Sequence, residues 1–121
     1  MDEDSRLDIK DRTFTFAADV VRFCDPLDSR QGAVRTLARQ LLRSGTSIGA
    51  NVEEAQAGQS RADFISKYNI ALKEARETIY WLRLLKTTAL CIEAQPEVLR
   101  DEAEQIARVI ASIIINTKRN T

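Results

Sequence analysis

Histidine is absent from the 121 residues, and cysteine occurs only at Cys24 and Cys91. Without imidazole no Ser-His-Asp or Cys-His relay can be assembled and no histidine-ligated metal can be held, and two thiols fall short of a four-cysteine zinc site. The spacing of the two cysteines matches no redox or metal motif, so both read as buried or half-buried free thiols in a reducing cytoplasm. Glycine occurs four times and proline twice, which leaves few places to turn and argues against a sheet protein. Net charge is also missing: eighteen basic side chains cancel eighteen acidic ones, so the whole-molecule field gives no case for nucleic acid or membrane binding. Apolar runs are only a few residues long, and neither a signal peptide nor a spanning segment is visible, so no membrane partner is expected. What remains is a chain with 44% hydrophobic and 30% charged residues, enough for one domain over residues 1–121 that buries roughly two-thirds of its unfolded surface.

The sparse punctuation leaves four long segments. In the first, from about Leu7 to Asp25, Ile9, Thr13, Phe16, Val20, Phe23 and Leu27 recur at spacings of three and four, and Pro26 is expected to end the helix. Asp28 and Ser29 offer caps for a second helix, in which Val34, Ala38, Leu41, Gly45, Ile48, Val52 and Ala55 repeat without a break to about Ala57. Gly58 suits a stop, and Ser60-Arg61-Ala62-Asp63 reads as a capping box that opens a third helix. There Phe64, Tyr68, Ala71, Ala75, Thr78, Leu82, Leu85 and Ala89 keep the same period. Pro96 suits the first turn of a fourth, along which Leu99, Ala103, Ile106, Ile110, Ile113 and Thr117 continue it. Connections this short force neighbours to run antiparallel. The expected fold is all-α, an antiparallel up-down-up-down four-helix bundle.

The third and fourth helices carry more apolar surface than such a bundle needs. At about 100° per residue, Ile79, Tyr80, Trp81, Leu82, Leu84 and Leu85 cover roughly 260° of the third helix, and the run Ile113-Ile114-Ile115 cannot point one way. Tyr80, Trp81, Leu84, Ile114 and Ile115 are therefore the candidate interface of a closed homo-oligomer. Gly45 and Gly49 form a Gly-x-x-x-Gly inside the second helix. Each costs about 1 kcal/mol against alanine there, so another helix is expected to approach closely; the register sets Gly45 and Ser47 against Ala71 and Ala75.

Charge is uneven along the chain. Residues before Arg30 carry four basic and eight acidic groups, whereas Arg30 to Lys86 carry ten and five. Arg35, Arg39 and Arg43 line one face of the second helix, with no acid between Gln31 and Val52. Two readings stand for this stripe: a salt-sensitive site for a phosphate backbone, or an inter-helix ladder in which Arg43 and Arg39 meet Glu74 and Glu77. Glu53, Glu54, Glu74, Glu77 and Lys73 suggest a carboxylate cluster, but di-iron bundles need Glu-x-x-His, so no metal or other cofactor is expected. No cleft for a small-molecule substrate is implied. A helix-turn-helix with Gly49 in its turn conflicts with a heptad that runs straight through that glycine.

The run Leu41-Leu42-Arg43-Ser44-Gly45-Thr46-Ser47-Ile48-Gly49-Ala50-Asn51-Val52-Glu53-Glu54-Ala55 resembles the four-helix-bundle proteins encoded by intervening sequences in bacterial 23S ribosomal RNA genes. So do Arg61-Ala62-Asp63-Phe64-Ile65, Ala71-Leu72-Lys73-Glu74-Ala75-Arg76-Glu77-Thr78 and Tyr80-Trp81-Leu82. The resemblance spans about Leu7 to Asn120 and implies a homo-oligomer, a pentameric barrel, with no enzymatic activity. The related accessory variability proteins of diversity-generating retroelements bind nucleic acid and a reverse transcriptase through a basic surface. By that similarity Arg35, Arg39, Arg43, Arg76, Arg83 and Lys86 are the candidate nucleic-acid contacts. The expected function is a non-catalytic cytoplasmic scaffold for RNA, DNA or a nucleic-acid enzyme; the alternative is a structural or protein-binding homo-oligomer with no nucleic-acid partner.

Overall fold

Apolar side chains spaced by three and four need a helix to share one face, and four helices form where that spacing places them: α1 Glu3–Asp28, α2 Ala33–Gln56, α3 Arg61–Thr88 and α4 Pro96–Arg119. The computed structural model describes residues 3–58, 60–90 and 95–120, with side chains from Asp8 onward. Cys91 lies outside the described residues. Every seam residue expected on α2 is buried, as are Leu99, Ala103, Ile106, Ile110, Ile113 and Thr117 of α4. On α3 the buried seam runs from Tyr68 to Leu85; Phe64 is half-buried, and Ala89 lies beyond the helix in a left-handed turn at φ 56°.

Three expectations about the first half change. The first helix begins earlier than Leu7, at Glu3, and Pro26 does not end it. Proline removes the N–H owed to the Arg22 carbonyl, but Arg22 faces solvent, where water can serve that oxygen, while buried Leu27 anchors the last turn. Cys24 takes the inward position assigned to Phe23, which is only half-buried. Neither Asp28 nor Ser29 caps α2: Ser29 turns back to the Pro26 carbonyl at 3.0 Å, and the N-cap is Gly32 at φ 87°, a conformation glycine adopts without steric cost. By contrast Ser60 caps α3 as its box requires, accepting from the Asp63 backbone N–H at 3.1 Å.

Cross-helix pairs establish the register. Lys10 faces Glu53 at 4.0 Å near one end of the α1/α2 pair and Asp28 meets Arg39 at 2.8 Å near the other, so these helices run antiparallel. Between α2 and α3, the Ser44 and Thr78 hydroxyls share a buried 2.9 Å hydrogen bond and Gln56 donates to the Tyr68 hydroxyl at 2.9 Å, again antiparallel. Neighbours pack in chain order, and α4 closes on α1 more sparingly, through Arg12, whose guanidinium grips Glu102 at 2.7 and 2.8 Å and Gln105 at 2.8 Å.

Both helical glycines face α1, so Gly45 does not sit against Ala71 and Ala75 of α3. A Cβ on Gly45 would lie 2.9 Å from both Val20 methyls, and one on Gly49 would lie 3.1 Å from the Thr13 carbonyl oxygen. The small residue set against α3 is instead Ser44. Gly49→Ala is expected to lower stability by about 1–2 kcal/mol, because a backbone oxygen cannot yield and overpacking outweighs the gain in helix propensity. Gly45→Ala should destabilise the native chain yet stabilise a Val20→Ala background, where the clash is gone. Urea unfolding of the four chains checks this, and an equal effect in both backgrounds would show that close approach is not what holds the glycine.

Candidate interaction surfaces

Arg35, Arg39 and Arg43 of α2 each reach an acid on a neighbouring helix. Arg39 donates to Asp28 at 2.8 Å, Arg35 lies 3.9 Å from the same carboxylate, and Arg43 reaches Glu74 at 3.3 Å and also Glu77. The ladder expected from the register is therefore present at Arg43, while Arg39 pairs with Asp28 rather than Glu77. The Arg39 guanidinium holds the Asp28 carboxyl below its ordinary range. The Asp28 pairs are solvent-exposed and screened by water, whereas Glu74, which meets Arg43, is largely covered. Lys86 bridges to Glu97 at 3.6 Å, and among the described residues no acid pairs with Arg76 or Arg83. The six candidate nucleic-acid contacts thus occupy different sides: Arg35 and Arg39 by α1, Arg43 between α2 and α3, Lys86 toward α4, and exposed Arg76 and Arg83 on the outside of α3.

Three of the four acids of the supposed carboxylate cluster are engaged by bases, since Glu74 and Glu77 serve Arg43 and Glu53 faces Lys10. Among the described residues no group of three or more cysteines and carboxylates is gathered to hold a metal. Asn51 is half-buried and donates to the Ser47 carbonyl of its own helix at 2.8 Å.

The candidate apolar interface divides. Tyr80 is 51% exposed and Ile115 49%, Leu84 and Trp81 are half-buried, and the Tyr80 and Trp81 rings meet edge to face at 5.2 Å. Ile114 is 6% exposed and belongs to the core: one position on from Ile113, it widens the buried face of α4. Among the described residues the buried Trp81 indole N–H meets no acceptor. Sequence reasoning missed a second apolar surface. Phe14 is 67% exposed and Val21 48%, both on α1, with Leu42 of α2 beside them. They edge two grooves between α1 and α2, of about 330 Å³ beside Val21, Cys24, Asp28 and Leu42 and about 190 Å³ beside Phe14, Ala17 and Ala50. The signal was available, because Phe14 falls out of phase with the seam that Thr13 and Phe16 define.

Burial pushes the Cys24 thiol up to about 12, through loss of solvation for the thiolate. An unfolded thiol ionises near pH 8.5–9, so above that the folded chain holds a proton that the unfolded chain has released. Stability should be unaffected by this group below pH 8 and fall as pH rises from about 9, by at most about 1.4 kcal/mol per unit. In a Cys91→Ser background, urea unfolding at pH 7, 9 and 10 should show this slope, Cys24→Ala should flatten it, and the native thiol should resist alkylation at pH 8. Rapid alkylation of the folded chain would contradict the placement.

Among the described residues no helix is long and apolar enough to cross a membrane. No curated protein matches the chain. A similar solved structure is that of a protein of unknown function from the S23 ribosomal protein family of Bacteroides thetaiotaomicron, with 43% identity, a TM-score of 0.80, and coverage of 91% of this chain and 97% of that one. Residues 5–112 match the 23S rRNA-intervening sequence proteins. With that match over most of its length and four helices in the order described, the chain belongs to the 23S rRNA-intervening sequence protein family.

Proposed function

We propose that the protein is a non-catalytic, self-associating bundle that serves as a structural or protein-binding scaffold in the cytoplasm. The observation that carries this reading is the large apolar side chains left outside a core that already draws on all four helices: Phe14 and Val21 on α1, Tyr80 on α3, Val98 and Ile115 on α4. A soluble monomer seldom exposes apolar side chains in clusters, and association removes them from water at about 25 cal/mol per Å². The absence of a metal-ligating group among the described residues is compatible with a scaffold but does not itself argue for one.

A second reading, a scaffold for RNA, DNA or a nucleic-acid enzyme, is favoured by one observation. Arg76 and Arg83 stand exposed on α3 without an ion-pair partner among the described residues, whereas Arg35, Arg39 and Arg43 are engaged by acids.

Light scattering at micromolar concentration should give a mass several times the 13.6 kDa of one chain, five times if the family resemblance extends to subunit number. A monomer mass would overturn the first reading. Retention on RNA or DNA at about 50 mM salt, lost at higher salt and weakened more by Arg76→Glu/Arg83→Glu than by Arg39→Glu, would favour the second; no retention at low salt would reject it.

A further inference from the structure

We infer that the furrow between α1 and α2 receives a basic amphipathic helix of another protein. This rests on the protein-binding part of the reading above and names the chemistry of the partner. Two cavities open along the furrow, about 190 Å³ beside Phe14, Ala17 and Ala50 and about 330 Å³ beside Val21, Cys24 and Leu42. Their linings are offset by about nine residues of α1, or about 14 Å at the helical rise. Apolar side chains at i, i+4, i+7 and i+11 of a single helix span that distance on one face. Phe14 and Val21 stand exposed two helical turns apart on one wall of the furrow, and Leu42 stands on the other.

Hydrogen bonding selects a helix over an extended segment. Both walls are helices whose backbone groups are bonded within themselves, so they offer nothing to the N–H and C=O groups of a strand laid between them, whereas a helix satisfies its own. Charge selects the sign. The bases at the rim are already matched by acids of the same seam, Lys10 by Glu53 and both Arg35 and Arg39 by Asp28. Asp11 and Asp25 are exposed at either end of the apolar row and have no ion-pair partner among the described residues. The uncompensated charge is therefore negative at both ends, about 21 Å apart, which suits lysines or arginines flanking the partner's apolar stripe. The same carboxylates disfavour a nucleic acid at this face. In a second copy, α3 is basic but is packed between its own α2 and α4 and presents only an outer face, whereas a lone helix can sink between the walls.

The probe is a fluorescein-labelled synthetic helix of about 18 residues, leucines on one face and lysines on the other, titrated with the full chain at about 50 mM salt and followed by anisotropy. One control scrambles the same residues, and another carries glutamate in place of lysine. The basic amphipathic peptide should bind at least about tenfold more tightly than either control, and hydrogen exchange should slow in residues 10–28 and 38–53 of the chain. Phe14→Ser/Val21→Ser should weaken binding about tenfold or more. Asp11→Asn/Asp25→Asn, which alters only exposed groups and keeps the test valid if the first variant fails to fold by circular dichroism, should weaken it about threefold at low salt and not at all at about 0.5 M. Tyr80→Ala, on the far side of the bundle, should leave it unchanged. Equal binding of the scrambled peptide, protection confined to other helices, or native affinity in folded furrow variants overturns the inference. So does a furrow variant that lowers the mass of the native assembly while peptide binding persists, which would make a second copy the occupant. Self-association is read separately from the native mass without peptide, and a monomeric mass leaves the expected peptide binding in place.

Discussion

The close approach of α1 to α2, where Val20 and the Thr13 backbone fill the notches left by Gly45 and Gly49, constrains the geometry of the rest. Two helices this near leave no room for side chains between them over that stretch, so the larger residues on either flank are turned inward or expelled. Inward go Phe16, Leu41 and Ile48; outward go Phe14, Val21 and Leu42. The glycines sacrifice about 1 kcal/mol each in helix propensity, and tight packing along the shared seam offsets it. The same rotation of α2 presents Ser44 to α3, where its hydroxyl meets that of Thr78 rather than remaining an unsatisfied polar group in an apolar core.

Charge is distributed with a similar economy. Where helices meet, opposite charges are brought together: Arg12 on Glu102, Arg39 on Asp28, Arg43 on Glu74, Lys86 on Glu97. Arg12 is the strongest of these by geometry, a planar fork on a carboxylate, and Glu102 raises its affinity for the proton. Among the exposed charges without an ion-pair partner in the described residues, Asp11 and Asp25 lie on α1 and Lys73, Arg76 and Arg83 on α3. Cancellation over the whole chain conceals this polarity, and only placement on helices with fixed faces makes it a property of surfaces rather than of segments.

How much could be read beforehand varied with the kind of interaction. Burial along α2 and α4 followed directly from spacing, and the Ser60 cap from four consecutive residues, because both depend on contacts within one helix. Errors gathered where a second helix intervened. Pro26 stays inside α1 because Leu27 is anchored by the core, Cys24 replaces Phe23 because α2 comes close on that side, and Arg39 prefers Asp28 because the end of α1 folds back beside it. Ile114 shows the same limit: a run of three isoleucines must divide between inside and outside, but which one leaves depends on the helices packed around α4.

The amino-acid order alone determined four helices, their approximate ends and the residues that face inward, since a helix converts spacing into direction without reference to anything beyond itself. It also carried the strings by which the family could be recognised. Only the tertiary structure decided which helix the glycines admit, which acid neutralises which arginine, and that Phe14 and Val21 stand outside a finished core. Those outcomes depend on the relative rotation and distance of helices, which are set by packing among all four at once and are therefore not written in any single segment.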